Sequence, residues 1–139
     1  MRRSPVVLGC ILAAALIAAG CDNGPDTVPT PTPTNPVTET FSGTVNLNGA
    51  VTHSFTASAA GTTTATISAL TPDGSVIGFQ MGTWNGVTCT AVVSNDLATI
   101  SSALTGNTQS SASLCVRLHD PNGVLTSNPV AYSVTVSHP

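Results

Sequence analysis

Few side chains in this chain of 139 residues can do chemistry: three histidines, four cysteines, six acidic residues and three basic ones. His119 and Asp120 are adjacent and serines are plentiful, which are the ingredients of a hydrolytic set. A serine hydrolase of the α/β type needs a Gly-x-Ser-x-Gly elbow, and the sequence contains none. Asp120 also opens Asp-Pro-Asn-Gly, whose composition suits a type I turn with aspartate in first place. His53 shares a strand face with Val51 and Phe55, which predicts a half-buried structural imidazole. His138 is next to the last residue and is expected to fray. A three-histidine zinc site would require these rings to converge, and their strand faces differ. Asp73, Asp96 and Asp120 fall in turns as lone carboxylates, without the dense Asp/Asn spacing of a calcium loop. The residues therefore predict no catalytic, metal or cofactor site, and no enzyme activity is expected.

Trp84 is the single tryptophan, in Gly82-Thr83-Trp84-Asn85-Gly86. Two readings stand. Exposed at a turn beside Asn85, its ring would stack on a sugar or a partner protein. Packed inward, it would cover a nearby disulfide or the end of the domain.

The cysteines divide by position. Cys21 closes Ile17-Ala18-Ala19-Gly20-Cys21, behind an apolar run from Val6 to Ala19 that follows Arg2 and Arg3. Cationic residues, a short apolar stretch and small residues before a cut make a secretory signal; the run is too short for a membrane span, which needs ~20 residues. With cysteine in the first mature position, the arrangement resembles the bacterial lipoprotein signal. That resemblance implies removal of residues 1–20 and attachment of acyl chains to Cys21. Asp22, next in line, is similar to an inner-membrane retention signal of enteric bacteria, but the rule varies among bacteria, so inner membrane, outer membrane and cell surface all stay open. Cys10 leaves with the signal. Cys89 and Cys115 remain in an oxidising compartment, where a single disulfide is the expected use. Two thiolates are too few for a metal site, and redox pairs usually stand as C-x-x-C. Such a bridge contributes roughly 3–4 kcal/mol.

Loss of Arg2 and Arg3 with the signal takes the net charge from −3 to −5 and leaves Arg117 as the one basic side chain. Nucleic-acid binding rests on Lys and Arg neutralising phosphates, so it is excluded, as is an electrostatic grip on anionic lipid. Membrane contact is expected through the acyl chains alone. Charged residues are 6% of the chain, against about 25% in ordinary domains. Threonine and serine take their place, supplying 36 of the 118 residues after Cys21, and β-branched threonine favours strands.

Residues 22–38 carry Pro25, Pro29, Pro31, Pro33 and Pro36 with interleaved threonines. Proline fixes φ and withholds a donor, so residues 21–38 read as the lipidated cysteine and an extended, disordered linker reaching about 50 Å. From residue 39 the period becomes two. Phe41, Gly43, Val45 and Leu47 alternate with polar residues, and Asn48-Gly49 signals a hairpin turn. Val51, His53, Phe55 and Ala57 follow, then Thr63, Ala65, Ile67 and Ala69 after Gly61. Ile77, Phe79 and Met81 share a face beyond Pro72-Asp73-Gly74. Asn85-Gly86 turns the chain into a strand over 87–93. Leu114, Val116 and Leu118 alternate later, and Tyr132, Val134 and Val136 point inward at the end. Residues 96–107 fit either a helical turn or a loose strand. Seven or eight short strands with Gly, Asn and Pro turns predict one all-β domain over 39–139, an antiparallel β-sandwich.

The segments His53-Ser54-Phe55-Thr56, Ala60-Gly61-Thr62, Leu114-Cys115-Val116-Arg117-Leu118 and Tyr132-Ser133-Val134-Thr135-Val136 resemble the bacterial pre-peptidase C-terminal domain. The resemblance implies a jelly-roll-like sandwich over nearly the whole mature domain, and a non-catalytic role like that of the family's members, mostly appendages of secreted proteases. The family's Asp-Leu-x-Leu strand is replaced here by Ser75-Val76-Ile77-Gly78-Phe79. The expectation is a lipid-anchored envelope module with a structural or protein-interaction role. The alternative is a glycan-binding module using Trp84 and Asn85.

Overall fold

The computed structural model describes residues 35–123, 125 and 129–139; Cys21 and the expected signal and linker up to residue 34 lie outside them. Alternation of apolar and polar residues puts one face of each segment against the core, and eight strands result among the described residues. They are β1 (Val37–Val45), β2 (Ala50–Ala57), β3 (Gly61–Thr71), β4 (Ile77–Trp84), β5 (Cys89–Ala98), β6 (Ala103–Thr108), β7 (Ala112–His119) and β8 (Val130–His138), with one 3-10 turn at Pro121–Gly123. One sheet has the order β1-β8-β3-β6 and the other β2-β7-β4-β5. All pairs are antiparallel. The pairs β1–β8, β2–β7, β3–β6 and β4–β5 are nested, so the chain is one long hairpin wrapped into two sheets. This is the eight-stranded jelly roll, the all-β sandwich that the periodicity predicts.

The core lies between the sheets. Phe79, Ile67, Ile77 and Leu118 are its largest fully buried side chains, each stabilising by roughly 1.5–3 kcal/mol on burial. Phe55, Ile67, Phe79, Val116, Tyr132 and Val134 all face inward and are buried.

Several expectations need correction. Asn48-Gly49 does make a turn, with Gly49 N–H donating to the Asn46 carbonyl at 2.8 Å and Asn48 at φ 56°. It is not a hairpin: β1 and β2 belong to different sheets, and the turn carries the chain between them. In β3 a bulge between Ile67 and Ala69 inverts the alternation, so Leu70 is buried and Ala69 exposed. Residues 96–107 are the end of β5, a turn closed by Ser102 N–H to the Thr99 carbonyl at 3.0 Å, and β6; no helix forms. The strand expected at 87–93 begins only at Cys89, and Val87 stands exposed in the turn. β1 begins at Val37, two residues inside the expected linker, because Val37 and Thr38 pair with His138 and Ser137.

Candidate functional site

Trp84 ends the outward face of β4, and Asn85 follows it in the turn. Ile77, Phe79 and Met81 are buried inward, so Gly78, Gln80, Gly82 and Trp84 share the other face. Register lays rows across this face. Thr52 pairs with Arg117, Arg117 with Gln80, and Gln80 with Ser94, and the Arg117 guanidinium donates to Gln80 Oε1 at 3.2 Å. The next row places His119 beside Gly78, and on the other side Cys115 beside Gly82. The two glycines have a stated use. A side chain on Gly78 would run into the His119 ring, and one on Gly82 into the Thr90 carbonyl oxygen.

The closeness of β5 over Gly82 is what lets Cys89 meet Cys115. The two form a disulfide with Cα atoms 5.8 Å apart, closing a sequence separation of 26 and spanning β4, which lies between β5 and β7. Trp84 pairs in register with Cys89 and is half-buried, next to the bridge rather than fully exposed. Asn85 is exposed, and its Oδ1 accepts from the Val87 and Thr88 N–H groups at 2.9 and 2.7 Å. Its side-chain oxygen thus holds the turn.

The histidines are engaged separately. His119 Nε2 lies 3.4 Å from Asp96 Oδ1, while its Nδ1 is buried without a partner. Burial lowers the His119 pKa, helped by Arg117 and opposed by Asp96 and Asp120. His53 stacks on Phe41 at 4.9 Å between ring centroids and meets the Tyr132 hydroxyl at 2.7 Å through Nε2. Burial pushes the Tyr132 pKa up to about 12 and the His53 pKa down, so the bond joins a neutral phenol and a neutral imidazole. Gly43 makes room for this, since a Cβ there would stand 2.7 Å from the Tyr132 oxygen.

His138 is the clearest correction. It is 3% exposed, bonded through Nε2 to Glu39 Oε1 at 2.9 Å, and its ring packs on Phe55 at 5.2 Å. It does not fray, because β8 pairs with β1 to its last residue.

Asp120 has a larger role than opening a turn. Its carboxylate accepts from Asn48 N–H at 2.8 Å and Leu125 N–H at 3.1 Å, and Asp120 N–H donates to the Gly49 carbonyl at 2.9 Å. It ties the β1–β2 crossing to the β7–β8 crossing. Neither His138 nor Asp120 carried a sequence signal for these roles, since their partners are far away in the chain.

His119 and Asp120 are therefore engaged with different groups, His119 with Asp96 and Asp120 with the Asn48 and Leu125 N–H groups. No group of three or more His, Cys, Asp or Glu able to hold a metal ion occurs among the described residues, and Asp73, Asp96 and Asp120 do not converge. No protein-family model matches the chain, and no curated protein matches it.

Proposed function

We propose that this chain is a lipid-anchored, non-catalytic module of the bacterial envelope, a pre-peptidase C-terminal-like jelly roll held from a membrane by acyl chains on Cys21. The observation that carries the reading is the order of parts: Arg2 and Arg3, an apolar run, Cys21, a Pro/Thr-rich stretch, and a single β-domain beginning near Val37. The engagement of His53, His119, His138 and Asp120 in bonds that hold the fold supports a structural or protein-interaction role over catalysis. Three acyl chains exceed the two-signal threshold for stable anchoring. Cys21→Ser should leave the protein soluble or unprocessed. Mass spectrometry showing a mature N-terminus that is unmodified, or that starts elsewhere, would falsify the anchor. Pull-down from native membranes then identifies the envelope partner.

A glycan-binding reading is favoured by one feature, the outward face on which Trp84, Gln80 and Arg117 stand among glycines. It expects Trp84 emission to shift on addition of envelope polysaccharide, and a Trp84→Ala variant to lose binding while keeping its fold.

A further inference from the structure

We propose that the cleft between β5 and β6, at the edge of the sandwich, binds a small uncharged amphiphile, with a body about the size of one ring and a single hydroxyl or carbonyl group. The cleft has a volume of ≈ 270 Å³. An apolar cavity of ~150 Å³ already holds benzene, and sites for drug-sized ligands start near ~300 Å³. Its walls are Met81, Val93, Ala112 and Leu114, with Asn107 and Gln109 at the polar rim, and no charged side chain lines it. An ionic ligand would find no counter-charge there; a neutral apolar body would.

The space exists because Gly106, the cross-strand partner of buried Thr63, brings no side chain into it. The β5 bulge, between the Met81–Val93 and Gly82–Ala91 pairs, leaves Val92 lining the cleft while 73% exposed. Met81 partly fills the gap: its Cε reaches across the sandwich to within 3.2 Å of where a Gly106 Cβ would lie. Methionine is a flexible filler that repacks readily, so it is the group a ligand displaces.

The polar end of the ligand is assigned by Thr63. Thr63 lines the cleft, is the cross-strand partner of Gly106, and is 1% exposed. Its Oγ1 is buried with no hydrogen-bond partner. A buried hydroxyl left unpaired is costly, and a ligand group that reaches it past Met81 removes that cost. This is independent of how the chain is anchored.

Phenol and toluene are near-isosteric probes that differ in the hydroxyl. Calorimetric titration of the full chain should show saturable binding of phenol. Thr63→Val keeps the shape and removes the hydroxyl; it should weaken phenol about five- to tenfold while leaving toluene within about twofold. Gly106→Leu should abolish binding of both, with the circular-dichroism spectrum retained. If Gly106→Leu fails to fold, the Thr63→Val comparison decides alone. Absence of saturable phenol binding overturns the proposal. So does an unchanged phenol affinity in Thr63→Val, or an equal loss of phenol and toluene.

Discussion

Asn85-Gly86 and Asn48-Gly49 are the same dipeptide, each set between alternating strands, yet they stand at opposite extremes of the fold. At Asn85 the chain reverses within one sheet: β4 and β5 pair directly, and Asn85 Oδ1 takes two N–H groups of its own loop. At Asn48 the chain leaves one sheet for the other. There the loop is held from a distance, by Asp120 on the far side of the sequence, and the sheets it connects are linked by the Tyr132–His53 contact between β8 and β2. The first is the tip of the long hairpin; the second lies near its open ends. A turn dipeptide sets that the chain reverses. Which strand it then meets is decided by burial, because each arm must put its apolar face against the other sheet. The hairpin tip is local and, beyond Cys89, fastened by a covalent bridge. The crossing is long-range, and among the described residues hydrogen bonds and ring contacts fasten it.

The largest effect expected at the crossing is Tyr132→Ala. Its ring is 4% exposed, it covers Gly43, and its hydroxyl is the link to His53. Truncation should cost roughly 3–5 kcal/mol, measured as a fall in the urea midpoint. A loss under about 1 kcal/mol would mean that the crossing does not depend on this ring.

At the other end, the Cys89→Ala, Cys115→Ala double variant should lose roughly 2–4 kcal/mol. Reductant should mimic it in the native chain and do nothing further to the variant. Two free thiols found in protein isolated under non-reducing conditions would remove the covalent half of the comparison.

How much of this was legible depended on distance along the chain. Strand positions were, because Phe79, Val116 and Val134 sit in strict alternation, and one-face burial imposes that period. The disulfide was legible by elimination among four cysteines. Leu70 was not, since the bulge at Ser68 reverses the faces without a residue type that announces it. His138 was misread because Glu39, its partner, is at the other end of the domain. Trp84 remained divided between two readings, and the structure places it between them, half-buried beside the bridge. The cleft near Thr63 had no signal at all: absent side chains at Gly106 define it, and an absence has no pattern until its neighbours are known.

Paired substitutions in the two loops separate local from long-range support. Asp120→Ala leaves the Asn48 and Leu125 N–H groups without their acceptor in a part-buried site, and should cost about 1–3 kcal/mol. Asn85→Ala removes two bonds in an exposed loop where water replaces them, and should cost about 0.5 kcal/mol. Equal losses, by chemical denaturation under one condition, would erase the distinction between the turns.

The smallest effect is the dependence of the crossing on pH. Burial holds the His53 pKa below its ordinary value, which is near 6.5 in an unfolded chain. Below about pH 6.5 the unfolded chain therefore takes up a proton that the folded chain refuses, and unfolding gains from it. The stability is complete above that pH and is lost as pH falls through the folded value. The Tyr132 hydroxyl, its own pKa raised, stays protonated throughout and contributes no proton of its own. His119, also lowered, acts in the same direction, so one variant must isolate His53. His53→Gln keeps an acceptor for Tyr132 and cannot titrate. Its melting temperature should fall less between pH 7 and pH 5 than that of the native chain, and the residual fall should be further reduced by adding His119→Gln. An acid slope identical in the native chain and His53→Gln would mean that the imidazole is not what makes the crossing sensitive to acid.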